Sequence, residues 1–386
     1  MGLIFYNTYI HCENGIINGY LKTEGHKIIE VNEGTPQLNE HDYAVNGKGK
    51  HIIPGFIDTH IHGISGADVM DGTSSSLQTM ASNLPFEGTT SFLAATMTQA
   101  KPAIEQALKA VAKYDTNEGE SELLGVHLEG PFINKEKAGA QPKEYVIAPS
   151  IDTFDHWQKQ SNNRIKVITL APEMDRTGQF IRHLNESGVI VSAGHTNASM
   201  SEIKAGVHSG LRQLTHLCNA MTGIHHRDVG AVGAGFLLKE LMCELIVDGL
   251  HVSEEMIHII YEHIGPERIM LITDSMEAKA MPKGTYSLGG QTVKTDGKRA
   301  LLEDGTLAGS IVKMIDAAHN MKQITNASIA AIIKMTATNP AKQLGVFDRK
   351  GSIAIGKDAD FLLIDDQFNL IYTICRGTIA FKREGL

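Results

Sequence analysis

The chain has 386 residues, 42% of them hydrophobic, and 35 Lys and Arg against 44 Asp and Glu leave a formal net charge of −9. That length and apolar content support one large core and a small second one. There is no long basic run, which argues against a nucleic-acid partner, whereas one or two well-placed cations would still serve an anionic small substrate.

Residues 1–53 hold short strand-like runs (LIFYNTYI, GIINGYLKTEG, HKIIEVNEG) separated by turn residues. From residue 54 to 346 one pattern recurs, in which a short β-branched run ends in polar or ionisable residues and a helical periodicity follows. The runs are HIIPGFIDTHIHG, TSFLAATMT, LLGVHLEGPF, RIKVITLAPE, VIVSAGHTNAS, LRQLTHLCNAM, CELIVDGLHV and RIMLITDSMEA. Segments such as PAIEQALKAVAKY and SEEMIHIIYEHIG between them repeat apolar residues at three- and four-residue steps. This alternation predicts an α/β protein built on a (β/α)8 TIM-like barrel. An open doubly wound sheet would need a Gly-rich phosphate turn after the first strand, where this chain has His-x-His instead. A hairpin insertion is expected at about 284–308, from its GG and DG turn signals, at the mouth of the barrel. Residues 347–386 return to short strands (SIAIGKDADFLLID, LIYTICRGTIAFK). Neither end could bury both its faces alone, so residues 1–53 and 347–386 are predicted to pair into one small β-sandwich domain beside the barrel.

The four cysteines, Cys12, Cys218, Cys243 and Cys375, form no C-x-x-C pair and read as reduced thiols. The N-terminus has neither a basic n-region nor an apolar h-region, and no run approaches the roughly 18 apolar residues of a membrane span. The expectation is a soluble, cytoplasmic chain.

Active sites of such barrels lie at the C-terminal ends of the strands. His60 and His62 close the first strand, and their i, i+2 spacing puts both on one face. Glu129 closes the third strand, His195 the fifth, His216 the sixth and Asp274 the eighth. Singly, each has a plainer reading: a solvated histidine, an exposed turn acid, a helix cap. Together they would converge on one mouth. Imidazoles with a carboxylate suit a borderline divalent ion, zinc or iron(II), which lowers the pKa of bound water to about 7. Asp274 is the candidate to accept that water's proton. His251, in DGLHV after the seventh strand, points at the same mouth. His127 reads as filling of the barrel interior, and His225 and His226 as solvent-facing loop residues. By position alone Arg227 is a surface arginine, and Asn219 and Ala220 carry no weight.

At these residues the chain resembles a known family. PGFIDTHIHG is similar to the first-strand signature of the amidohydrolase superfamily. HLEGPF, SAGHTNA, THLCNAM, DGLHV and TDSMEA, in this order along essentially the whole chain, resemble the N-acetylglucosamine-6-phosphate deacetylases within it. The resemblance implies hydrolysis of N-acetylglucosamine 6-phosphate to glucosamine 6-phosphate and acetate in amino-sugar catabolism. It implies Glu129, His195 and His216 as the main metal ligands, with His60 and His62 offering a second position, hence one or two ions per subunit. It further implies Asp274 as acid–base and His251 near the acetamide carbonyl. Asn219, Ala220 and Arg227 would bind the sugar phosphate, the arginine reaching the neighbouring active site of a homodimer. Leu307, Ala308 and Gly309 would close over the sugar. Ala140 and Gln141 match a third-strand loop that contacts substrate, although some family members have histidine where Gln141 stands. Glu129 on the third strand argues against relatives such as dihydroorotase and urease, which use a carboxylated lysine there. The competing readings are a deacetylase for N-acetylgalactosamine 6-phosphate, another amidohydrolase, and a non-catalytic assembly protein, which should show gaps in the ligand set.

Overall fold

The β-branched runs of the sequence are buried on both faces, as strands of a parallel sheet must be. A computed structural model describes residues 2–40 and 42–384. Residue 41 and the outermost ends of the two predicted terminal segments, residues 1 and 385–386, lie outside the described residues. Eight strands, Phe56–Ile61, Thr89–Ala95, Glu122–Glu129, Ile165–Leu170, Ile190–Ala193, Leu211–Leu214, Met242–Ile246 and Ile269–Ile272, lie side by side in chain order. Every neighbouring pair is parallel. The eighth strand returns to the first, where Asp274 N donates to His60 O at 2.8 Å and His62 N to Ser275 O at 2.9 Å. A helix follows each strand, at Ser74–Asn83, Lys101–Lys113, Ile151–Gln160, Gln179–Glu186, Met200–Ser209, Gly230–Leu237, Glu254–Ile264 and Met314–Thr325. Serines cap several of them, and Ser199 with Glu202 makes a reciprocal capping box. This is the (β/α)8 barrel that the alternating pattern predicts.

The terminal segments build a separate seven-stranded sheet, in the order Thr378–Lys382, Leu370–Cys375, Phe361–Ile364, Tyr43–Pro54, Leu3–Cys12, Gly15–Glu24, Lys27–Glu33. It is antiparallel except where Tyr43–Pro54 runs parallel to Leu3–Cys12. The sheet curls over its own core of Phe5, Ile10, Leu21, Ile28, Phe361 and Ile374, with Phe5 edge-on to Phe361 and Tyr372. Its far ends meet so closely that a Cβ on Gly377 would lie 1.9 Å from Gly25 O. The strand Tyr43–Pro54 passes into the first barrel strand through Gly55 alone, where a side chain would strike Thr90 at 2.2 Å.

The insertion after the eighth strand is a small three-stranded antiparallel sheet, Gly284–Leu288, Gln291–Thr295 and Ala300–Leu301. Its first turn is Gly289-Gly290, both with positive φ, as a two-residue hairpin turn requires. Leu288, Val293 and Ala300 pack on Met97 and Met276, which holds the sheet over the barrel mouth.

Candidate metal centre and substrate pocket

The strand ends place the predicted residues through an unusual backbone. His195, His216 and Asp274 each lie two residues beyond their strand and adopt the left-handed conformation, with φ of 47°, 34° and 48°. Such values cost non-glycine residues on the order of 1–3 kcal/mol each and cluster at functional sites. The kink turns each side chain back over the barrel axis, where His60, His62 and Glu129 already point.

Two donor sets result, Glu129 with His195 and His216, and His60 with His62 and Asp274; within each, the candidate ligand atoms lie within 4.8 Å of one another. Glu129 Oε1 is 3.1 Å from His195 Nε2, 3.2 Å from His216 Nε2 and 3.4 Å from His60 Nε2. Its Oε2 lies 3.4 Å from His62 Nε2, and Asp274 Oδ1 lies 3.2 Å from His62 Nε2 and 3.6 Å from His60 Nε2. Glu129 therefore stands between the sets. Each imidazole donates through Nδ1: His62 to Ala95 O, His195 to Lys137 O, His216 to Asn219 O and His60 to Glu244. That leaves every Nε2 facing the centre, the arrangement of metal-ligating histidines.

The residues fit a divalent cation. His195 and His216 face each other Nε2 to Nε2 at 3.1 Å, and buried His60 Nε2 has no hydrogen-bond partner among the described residues. A cation in each donor set would satisfy these nitrogens. The electrostatics of the ligand residues agree. Burial opposes charge on the imidazoles, yet Glu129 and Asp274 overcome it, holding His60 well above its ordinary value and His62 up at about 10. Burial likewise opposes charge on the acids, but His60 and His62 keep Asp274 down at about 2, and His60, His195 and His216 keep Glu129 well below the usual range. A third acidic group, Glu122 with Asp358 and Asp360, already surrounds the Lys350 ammonium.

A cavity of about 310 Å³ opens above these ligands. His251 lines it, and its Nδ1 is fixed by Asp248 Oδ2 at 2.7 Å. Burial works against charge on this imidazole, but Asp248 and then Asp274 raise its pKa above the ordinary value. Ala140, Asn219, Ala220, Leu307 and Gly309 line the same cavity, whereas Ala308 is fully buried in the small core of the insertion and outside the lining. Gln141 also lines the wall, with its amide donating to Glu129 Oε2 at 2.5 Å and its oxygen accepting from Thr98 N at 2.7 Å. Arg227 is exposed and outside the cavity lining, its guanidinium against His226. His127 fills the barrel interior, bonded to Thr59 O and Thr169 Oγ1, and burial beside His60 lowers its pKa to about 4. Two polar residues at the site escape the sequence reading. Asp248 had a signal, an acid three residues before His251. Glu244 had another, a charge inside the otherwise apolar strand Met242–Ile246.

The chain and its fold have counterparts. The family model described as "Amidohydrolase family" matches residues 51–380. The chain is 43% identical over 384 residues to the N-acetylglucosamine-6-phosphate deacetylase of Bacillus subtilis (strain 168), covering 98% of this chain and 97% of that one. It is 36% identical over 330 residues to the N-acetylgalactosamine-6-phosphate deacetylase of Escherichia coli O157:H7, covering 85% and 87%. The solved N-acetylglucosamine-6-phosphate deacetylase of Thermotoga maritima superposes with a TM-score of 0.88 at 34% identity, covering 98% of this chain and all of that one. With the matched segment spanning the whole barrel and most of the chain, the chain belongs to the amidohydrolase family.

Proposed function

We propose that this protein hydrolyses the acetamide of N-acetylglucosamine 6-phosphate, giving glucosamine 6-phosphate and acetate. The observation that carries the reading is the meeting of Glu129, His195, His216, Asp274 and His251 on one cavity, in a chain 43% identical to a deacetylase of that name. The ligand set has no gap, which disfavours a non-catalytic assembly protein.

Glu129, His195 and His216 would hold a divalent ion, zinc or iron(II), and His60, His62 and Asp274 a second one with Glu129 between. When bound, such an ion supplies Lewis acidity for the acetamide carbonyl and makes a water acidic near neutral pH. Asp274 stays ionised through the neutral range and accepts the proton of the attacking water. His251, with Nδ1 tied to Asp248, presents its other nitrogen to the acetamide oxygen as negative charge develops there. Asp274 then returns its proton to the departing amine. Ala140, Gln141, Asn219, Ala220, Leu307 and Gly309 form the wall against which the sugar is held, with Ala308 anchoring that loop in the insertion's core. The phosphate takes Arg227 from a neighbouring copy in a homodimer, since Arg227 lies outside its own cavity. The four free cysteines support a cytoplasmic setting; no helix among the described residues is long and apolar enough to cross a membrane.

Acetate release from N-acetylglucosamine with and without the 6-phosphate, and from N-acetylgalactosamine 6-phosphate, tests the reading. The gluco 6-phosphate should show the highest kcat/KM. Preference for the galacto epimer would favour the second reading, which the E. coli relative supports. Preference for an unphosphorylated sugar would remove Arg227 from the mechanism.

A further inference from the structure

We infer that Glu244 is a positioning residue that sets metal affinity at the His60–His62–Asp274 position, separately from the Glu129–His195–His216 position. The inference rests on the proposal that this centre binds divalent ions.

Of the four converging imidazoles, three fix their Nδ1 on backbone carbonyls, at Ala95, Lys137 and Asn219. Those partners belong to the fold and do not depend on side-chain identity. His60 alone uses a side chain, donating to Glu244 Oε2 at 3.1 Å. A carboxylate accepts, so Nδ1 carries a proton and Nε2 is the nitrogen turned to the centre. That Nε2 is buried, has no hydrogen-bond partner among the described residues, and lies 3.4 Å from Glu129 Oε1 and 3.6 Å from Asp274 Oδ1.

Glu244 is fully buried in the seventh barrel strand, where an unpaired charge would be costly. Its other oxygen, Oε1, accepts from Gln213 Nε2 at 2.8 Å and from Thr59 Oγ1 at 3.4 Å. Gln213 is itself held by Gln343 at 3.3 Å. The carboxylate is therefore locked from the first and sixth strands while its free edge aims His60. Behind a ligating histidine, a carboxylate fixes ring orientation and strengthens donation, and losing one typically weakens metal binding about 10- to 100-fold. None of the other three histidines has such a partner, so the effect should fall on one position.

The test is stepwise titration of the metal-stripped protein with Zn2+ against a chromophoric chelator, and with Co2+ followed by its visible spectrum. Wild type and Glu244→Gln are compared, with metal-free Tm measured for both. Wild type should take two equivalents. Glu244→Gln should keep the first step and its Co2+ spectrum and lose about 10- to 100-fold in the second. Gln213→Met, which loosens Glu244 without removing it, should weaken the same step less and covers the case in which Glu244→Gln does not fold. Equal weakening of both steps, or no change in either, overturns the inference, as does a wild type that binds one equivalent only. A wild type that binds no metal overturns instead the proposed centre on which the inference stands.

Discussion

The third barrel strand carries an acid at each end, and the two are neutralised in opposite ways. Glu122, at its start, accepts the Arg349 fork at 2.7 and 2.9 Å and Lys350 Nζ at 2.8 Å, with Asp358 and Asp360 around the same ammonium. Glu129, at its end, has only histidines as ion-pair partners among the described residues, and so does Asp274. At the bottom of the barrel the cation is part of the chain, and the cluster clamps the segment after the barrel to its third strand. At the top the positive charge is supplied by groups that can exchange a proton for a metal ion. A permanent cation suits stability, whereas a replaceable one suits chemistry.

The contrast can be broken at either end. Asp274→Asn should lower kcat by about 10²–10⁴-fold, with the first metal equivalent and Tm retained; near wild-type turnover would sink its assignment as the proton carrier. Lys350→Met should do the reverse. It leaves buried Asp360 without an ion-pair partner among the described residues, removes one partner from Glu122 and Asp358, and should cost about 3–5 kcal/mol in urea unfolding, while activity per folded molecule stays within a few-fold. Metal should stabilise only through the top cluster. At 100 times its Kd, a divalent ion should add about 2.7 kcal/mol to the stripped protein, and that gain should persist in Lys350→Met and shrink in His195→Ala, which keeps only the His60–His62–Asp274 position intact.

Acid should act through the bottom cluster, with the smallest effect. Burial would raise the Glu122 carboxyl, but the Arg349 hydrogen bonds and the Lys350 charge hold it at about 2, against an ordinary value of 4.5. A depressed acid stabilises fully above its unfolded pKa and loses that contribution as pH falls through its folded one. Urea midpoints of wild type should therefore fall between pH 4.5 and 2 more steeply than those of Glu122→Gln; parallel curves would mean that Glu122 is not held down.

The convergence of the six strand-end residues was legible because each follows a β-branched run, and the barrel periodicity puts such ends on one face. The left-handed backbone of His195, His216 and Asp274 was not, since no local sequence feature asks a non-glycine residue to adopt it. The carbonyls of Ala95, Lys137 and Asn219 were also hidden, because a backbone acceptor carries no residue identity. In the insertion, the GG turn announced a hairpin, but the third strand, Ala300–Leu301, has two residues and is too short for any periodicity. The parallel pairing of Tyr43–Pro54 with Leu3–Cys12 is a matter of register between distant segments, which an alternating pattern leaves open.

The single-residue joint at Gly55 has a consequence for synthesis. The strand that leads into His60 is made early, yet Pro54 pairs with Phe361, more than three hundred residues later in the chain. Until that late strand emerges from the ribosome, the ribbon feeding the His-x-His pair has one unsatisfied edge. Such long-range pairing is slow and leaves a strand edge open to other chains. Nascent chains halted before Phe361 should therefore depend on chaperones, although every metal-ligand candidate has already been translated.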